Sequence, residues 1–463
     1  MDADPADAPT VSVDDRFRVV IAGAGVAGLE ALLALRHLLR SQVSIELVSG
    51  SPEFVYRPLA LAEPFGLGEA TRLRVDALAA NQGATFRPDL LASVDPEGRT
   101  VTTESGLELG YDALLLAVGT RGVEQLPGAL TYGGASANDA YRGLLGELES
   151  GAATRVVFAV AAGLHWALPL YELALLTAHH ARERGLDGVE LTVASAESRP
   201  LEMFGRRAGE AVAALLREAG VGFRGASAPS AVEQEGLVVS SGDLLAADRV
   251  VAVPRLEVAP IPGIPQGPAG FIGTDLQMKV EGLTRVYAAG DATWFPIKQG
   301  GLAAQQADVA ATSIAACVDA GIEKALFRPV LRGALLTGAA PLYVRSEVGD
   351  RAGSSAAGAA PLWWPPSKIA ARYLSPYLAA GDEGPGPPLD DLPSLHGEEQ
   401  AELAAEHQEA VELALAVADA DARWKDYRGA LRWLGVAEQL NLTLPPDYAE
   451  KRRAWSEAMR LID

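Results

Sequence analysis

Val286–Tyr287–Ala288–Ala289–Gly290–Asp291–Ala292 reads as an apolar strand ending in a turn that carries a carboxylate. Far upstream the strand Arg18–Val19–Val20–Ile21–Ala22 runs into Gly23–Ala24–Gly25–Val26–Ala27–Gly28 and a helix over Leu29 to Leu39. Glycines at the first two positions let the backbone turn tightly and approach a pyrophosphate. The third allows close helix–strand packing, and the helix N-terminus supplies N–H donors and a positive dipole end. One Gly-x-Gly-x-x-Gly is a weak signal. Between the two segments lies Tyr111–Asp112–Ala113–Leu114–Leu115–Leu116–Ala117–Val118–Gly119–Thr120, a further strand ending in a glycine turn. Together the three make a strong signal.

The trio resembles the FAD-binding half of the two-dinucleotide-domain flavoproteins, the superfamily of pyridine-nucleotide disulfide reductases. The resemblance covers roughly residues 17 to 380 and implies two Rossmann-like dinucleotide-binding domains; with the regions that follow, the expected fold is α/β, two such domains plus a C-terminal cap and a helical tail. It implies FAD as cofactor, with Gly23, Gly25 and Gly28 at the pyrophosphate and Asp291, beside Gly290, hydrogen-bonded to a ribityl hydroxyl. Thr120 joins the same cofactor-binding set. Val43–Ser44–Ile45–Glu46–Leu47–Val48 is the second strand of the βαβ unit. Where the fold usually places an acidic residue for the adenosine ribose, this chain has Ser49, with Glu46 on the strand itself. Phe54–Val55–Tyr56–Arg57–Pro58–Leu59 follows the order of a flavin-contacting loop in related membrane dehydrogenases. Arg57 is therefore read either as a neighbour of the flavin or its phosphates, or as a surface arginine before a proline turn.

A second α/β unit starts at Thr154–Arg155–Val156–Val157–Phe158–Ala159–Val160 and includes a helix over Leu173 to Arg184 and the strand Val189 to Val193. The NAD(P)H-using relatives carry their second glycine fingerprint here. This chain instead reads Ala161–Ala162–Gly163–Leu164–His165–Trp166–Ala167–Leu168–Pro169. One glycine remains where three are wanted, and Trp166 with Leu168 would crowd a pyrophosphate. Whether NAD(P)H binds is thus open, and the fold is expected to persist where that chemistry is weakened. The expected division is 17–121 with 267–320 for the FAD-binding domain and 122–266 for the second Rossmann-like domain. A cap over 321–380, a linker over 381–397 and an acidic helical tail over 398–463 follow.

At 463 residues two or three domains are expected, and 49% apolar residues with 48 glycines suit a turn-rich α/β protein. A formal charge of -21 argues against nucleic acid. The single cysteine, Cys317, excludes an intrachain disulfide and a redox dithiol; its apolar helical surroundings read as a buried structural thiol. Met1 to Asp15 is polar and acidic, without the basic and apolar stretches of a secretory signal, and reads as a disordered lead-in. No run approaches the ~18 apolar residues of a spanning helix. A cytoplasmic protein is expected, with surface attachment to a membrane left open.

The candidate chemistry lies around Trp294–Phe295–Pro296–Ile297–Lys298–Gln299–Gly300–Gly301–Leu302. A helix N-terminus at Gly301 and Leu302, aimed at the flavin's pyrimidine edge, would stabilise negative charge on the reduced flavin. Lys298 would add a cation there, or donate a proton to an acceptor such as a quinone; a solvated loop lysine is the bland alternative. Comparable loops occur in the similar sulfide:quinone and type II NADH dehydrogenases. In the sulfide:quinone branch a cysteine stands where His165 or Trp166 stands here, so His165 is read as an acid–base group or as a packed residue. No metal is expected, since His179 and His180 are adjacent on a helix and point apart.

The region Lys324 to Ala380 carries Lys324, Arg328, Arg332, Arg345, Arg351, Lys368 and Arg372 against Glu347 and Asp350, and contains Pro361–Leu362–Trp363–Trp364–Pro365–Pro366. It suits a peripheral membrane interface, or a cap whose tryptophans pack inward and whose arginines pair with acidic neighbours. In the tail, Tyr427, Ala430, Leu431, Leu434, Ala437 and Leu440 share one helical face. Docking on the body or across a homodimer is expected of it rather than free peptide binding. The combined reading is an FAD-dependent oxidoreductase passing electrons from a small-molecule donor to a quinone or similar small acceptor by a non-thiol route. Two alternatives stay open: an NAD(P)H dehydrogenase with a degenerate nucleotide loop, and a non-catalytic flavoprotein interaction subunit.

Overall fold

The computed structural model describes residues 16–163, 165–348, 355–364, 366–380, 390–391 and 447–460, together with single positions between 415 and 434. Strand β1 (Phe17–Ala22), helix α1 (Val26–Leu39) and strands β2 (Val43–Val48), β3 (Thr85–Arg87) and β4 (Ala113–Leu116) open a first unit. A second unit is built on β5 (Arg155–Val160), α2 (Leu168–Glu183), β6 (Glu190–Ser195), β7 (Val221–Arg224) and β8 (Arg249–Ala252). Strand β9 (Val286–Ala288) and helix α3 (Gly300–Ala315) then return to the first unit.

The first sheet has the order β9–β4–β1–β2–β3, with every pair parallel. Its central strands are apolar at nearly every position because both faces are covered: Val19, Val20 and Ile21 are fully buried, as are all four residues of β4. The chain leaves β1 toward β2 on one side and returns through β4 on the other. That reversal opens a crevice at the carboxyl ends of the strands, where Gly23, Thr120 and Asp291 all fall.

The second sheet is likewise parallel, in the order Leu130–Thr131, β8, β5, β6, β7. Two short crossing strands, Arg121–Val123 and Arg255–Glu257, pair antiparallel where the chain passes between the units. Val258, Ile261 and Ile264 then pack with Val20, Val48 and Leu114 in the first unit's core. The chain has therefore rejoined the first unit before residue 267, the expected boundary.

Helix α2 begins at Leu168 rather than at the expected Leu173. Pro169 sits in its first turn, where a missing N–H costs nothing and the fixed φ suits a helix. The shift carries the helix N-terminus up to the His165–Trp166 loop. Cys317 also departs from expectation. It lies beyond the end of α3 and is only half-buried, its Sγ donating to Ser313 O at 3.3 Å.

The cap is a three-stranded antiparallel sheet of β10 (Val330–Leu335), β11 (Leu342–Glu347) and β12 (Ala356–Gly358). Trp363 is fully buried, packs edge-on against Tyr343 at 5.3 Å and donates its indole N–H to Ser367 O at 3.0 Å. Arg345 pairs with Glu347 at 2.8 Å. These residues take the inward-packed arrangement; Asp350, Arg351, the Trp364 side chain and Pro365 lie outside the described residues. The segment after Trp363 is held to the first unit by buried Glu30 of α1, which accepts from Tyr373 N (2.9 Å) and Leu374 N (2.6 Å). Burial pushes that carboxyl up to about 7.

Within the stretch read as a linker, Asp390–Asp391 pairs antiparallel with Trp363–Trp364; the rest of 381–397 lies outside the described residues. So does the lead-in up to Asp15. In the tail, Ala430 and Leu434 join Leu415, Ala418, Tyr448 and Trp455 in a small core of their own, whereas Ala437 and Leu440 are not described. Among the described residues no helix is long and apolar enough to cross a membrane.

Candidate functional site

At the crevice of the first sheet lies a cavity of about 510 Å³, lined by Gly23, Gly25, Ser49, Arg57, Thr120, Gly290 and Asp291 among others. The three glycines of the first turn do different work. Gly23 has φ +113°, and a Cβ there would stand 2.1 Å from Ala117 O. A Cβ on Gly25 would meet nothing within 4 Å, so that position faces the open cavity at the N-cap of α1. A Cβ on Gly28 would stand 1.8 Å from Gly23 O, so this glycine lets the helix press on the strand.

Ser49 lies in a local turn with Ser51, its Oγ 3.4 Å from Ser51 N. Glu46, the nearby acid, is not offered to the cavity because it is bonded to Arg87 at 2.7 Å. Gly290 donates its N–H to Gln306 Oε1 at 2.8 Å, which fixes the turn preceding Asp291. Burial raises the Asp291 carboxyl, with Lys298 and then Arg57 pulling it back down. Among the described residues no donor hydrogen-bonds this carboxylate, so its acceptor capacity is directed at whatever fills the cavity. A backbone cradle at a helix N-terminus, a serine turn and a half-buried acceptor fit an adenine dinucleotide with a hydroxylated linker, as FAD has. Asp291→Ala should therefore lower FAD affinity by ~1–3 kcal/mol, the cost of an unpaired buried hydroxyl. Flavin content after gel filtration and a titration of apoprotein with FAD would measure it; equal affinity in variant and parent would refute the contact.

Gly301 and Leu302 line neither cavity. The Leu302 N–H is donated to Gln299 Oε1 at 3.1 Å, so the helix caps itself there. Gly300 and Ala303 take the lining positions instead.

A second cavity, of about 260 Å³, adjoins the first and shares Arg57, Pro58, Asp291, Gly300 and Ile369 with it. It brings together His165 and Lys298, from different units. Lys298 N donates to His165 O at 3.1 Å, and both side chains lie against Phe271. Lys298 is buried, its ammonium 4.1 Å from the centre of the Phe271 ring and donating to Thr293 O. His165 Nδ1 lies 3.0 Å from Pro296 O, a pure acceptor, so this nitrogen carries the proton.

Sequence reading missed the rest of this wall. Glu172 of α2 accepts from Leu336 N at 2.8 Å and pairs with Lys368, the two side chains only 1% and 9% exposed. Burial raises the Glu172 carboxyl while Lys368 opposes it, and its Oε2 has no partner among the described residues. Lys368 was visible only as one cation of a basic stretch, and nothing local announced a partner 196 positions away. Arg332 of β10, also buried, completes the cationic lining.

On the side of the second unit the wall is apolar. Trp166 packs on Phe204 at 5.7 Å, and Leu168 with Pro169 forms the first turn of α2 where a nucleotide's pyrophosphate would approach. Beyond β6, where this fold places a ribose-binding acid, Glu197 is engaged internally. It accepts from Tyr171 Oη (2.6 Å), Ser195 Oγ (3.2 Å) and Glu202 N (3.0 Å), and burial pushes its carboxyl up to about 7. His180 bonds Glu149 at 2.9 Å, and among the described residues no cluster could hold a metal.

Comparison with known proteins agrees with this architecture. The pyridine nucleotide-disulphide oxidoreductase family matches residues 17–313. An NADH dehydrogenase-like protein of Mycobacterium tuberculosis is 30% identical over 297 residues, covering 59% of this chain and 72% of that protein. The sulfide:quinone oxidoreductase of Aquifex aeolicus superposes with a TM-score of 0.66 at 20% identity, over 74% of this chain and 86% of its own. A ferredoxin reductase from Rhodopseudomonas palustris gives 0.56 at 20% identity, over 73% and 85%. At these identities the two structures speak for the fold.

Proposed function

The chain belongs to the pyridine nucleotide-disulphide oxidoreductase family, and from that premise we propose that it is an FAD-dependent oxidoreductase serving a quinone or similar small acceptor without a cysteine redox centre. Bound FAD would supply the electron-transfer chemistry. Gly23 and Gly25 would hold its pyrophosphate at the N-terminus of α1, Ser49 and Thr120 would flank it, and Asp291 would accept a ribityl hydroxyl. Arg57 and Lys298 lie where they would offset negative charge on the reduced cofactor. Lys298 Nζ, or His165 through its ring, holds a proton beside the place where an acceptor's oxygen would sit.

One observation supports the reading most: the second cavity adjoins the first and shares Asp291, Arg57 and Gly300 with it, so a small molecule there would lie beside the cofactor. Cysteine chemistry is set aside because the chain has one cysteine, Cys317, which lines neither cavity. The test is anaerobic: holoprotein reduced with dithionite, freed of excess reductant, and mixed with a soluble naphthoquinone. The yellow flavin band should return as the quinone gains two electrons and two protons. A band that stays bleached until air is admitted would sink the proposal.

The similarity to an NADH dehydrogenase-like protein favours a second reading, an NAD(P)H dehydrogenase with a degenerate nucleotide loop. The loss of the second and third glycines before α2 and the internally bonded Glu197 weigh against it.

A further inference from the structure

Two carboxyl groups that the proposed chemistry does not use meet between α1 and α3. Glu30 of α1 is fully buried, and its two oxygens accept from Tyr373 N at 2.9 Å and Leu374 N at 2.6 Å. Asp308 lies on α3. Among the described residues no N–H or neutral hydroxyl reaches its buried Oδ1, and the side chain is hydrogen-bonded to Glu30 instead. Ionised carboxylates only accept, so a hydrogen bond between the two requires that one of them carries a proton. Burial raises both, Glu30 up to about 7 and Asp308 well above its ordinary value, and the Glu30 charge raises Asp308 further.

The neighbouring groups do little to replace that proton. Arg372 supplies an opposing charge, but it is exposed, with its guanidinium 5.5 Å from the centre of the Tyr373 ring. Tyr373 brings a phenol that burial keeps protonated, and His37 of α1 packs on that ring at 5.2 Å. Gln305, one turn earlier on α3, is neutral and donates to Val330 O at 2.9 Å. The segment that Glu30 holds also reaches the cavities. Ile369 lines both of them and presses on Gly300, where a Cβ would stand 2.8 Å from its side chain. Ile369 N donates to Tyr56 Oη at 2.6 Å and Ala371 N to Ser375 Oγ at 2.9 Å, which folds this stretch into one turn leading to the helix Leu374–Ala380.

We propose that Glu30 and Asp308 share a proton that latches the turn from Ile369 to Leu374 onto α1 and α3, and that loss of this proton loosens that wall of both cavities. Without it two like charges face each other out of water, and the repulsion is relieved when the turn lifts and admits solvent. The sign follows from the raised carboxyl of Glu30. The pair's contribution to stability is greatest in acid and falls as pH rises from 4.5 through about 7. The latch is independent of which molecules exchange electrons with the cofactor.

Hydrogen–deuterium exchange of the FAD-loaded full-length protein tests it, at about pH 6 and about pH 8.5, with rates corrected for intrinsic exchange. Protection of residues 369–380 should fall roughly ten-fold at the higher pH, while that of β5 in the second unit holds. Asp308→Asn offers Glu30 an amide N–H in place of the shared proton at either pH, so this variant should hold the turn equally at both. Equal protection of the parent's turn at the two pH values, a fall matched by β5, or the same fall in Asp308→Asn would overturn the latch. Should the variant not fold, the parent's contrast between the turn and β5 decides alone.

Discussion

Gly28→Ala is expected to give protein that purifies largely without flavin and unfolds well below the parent, a loss on the order of 3 kcal/mol. The added methyl would sit 1.8 Å from Gly23 O and 3.5 Å from a methyl of Ile21. Its first obstacle is backbone, so no rotamer change relieves it. Helix α1 would have to lift from β1 at the point where the cradle forms. Gly25→Ala is the informative partner. Its backbone is extended, with φ -79° and ψ -168°, and a Cβ meets nothing within 4 Å. That variant should fold like the parent and lose only FAD affinity. Thermal unfolding of both apoproteins, alongside FAD titrations, separates the two effects. Equal stability of Gly28→Ala and parent would contradict the packing described for this turn.

The second large effect concerns the buried Glu172–Lys368 pair. Lys368→Met leaves a carboxylate in the interior with one backbone donor, Leu336 N, and should destabilise the protein by ~3–5 kcal/mol. Adding Glu172→Gln removes the stranded charge and keeps an acceptor for Leu336 N, so the double variant should recover most of the loss. Unfolding midpoints in denaturant, followed by flavin fluorescence, provide the comparison. A single variant as stable as the parent would mean that the pair does not hold the cap to the second unit.

The first sheet and its cradle were legible because their signals are local: apolar strands buried on both faces, glycines at fixed offsets and a carboxylate after β9. Gly28 illustrates this, since only a glycine lets α1 reach β1. The start of α2 is hidden in sequence because Leu168–Pro169 resembles a loop, whereas Pro169 is a first-turn residue. Leu302 reads as a cofactor contact from sequence, but Gln299 caps its N–H from within. The second cavity was hardest to foresee. His165 and Lys298 stand out singly in the sequence, but their meeting over Phe271, and the joining of Glu172 to Lys368, depend on the packing of two units and a cap. Trp363 shows the same limit, because a tryptophan beside basic residues reads equally as a membrane anchor until its burial against Tyr343 is known.

The proposed function expects little reduction by nicotinamide nucleotides, because the second unit lacks the second and third glycines of a nucleotide loop. Trp166, Leu168 and Pro169 line the second cavity at the start of α2, and the Glu197 carboxylate is taken up by Tyr171, Ser195 and Glu202. The most direct measurement is stopped-flow mixing of oxidised holoprotein with excess NADH or NADPH under strict exclusion of oxygen. The flavin band should persist, or fade far more slowly than it returns when the reduced protein meets a quinone. Rapid bleaching by either nucleotide would contradict this expectation and make the chain a nicotinamide-nucleotide dehydrogenase.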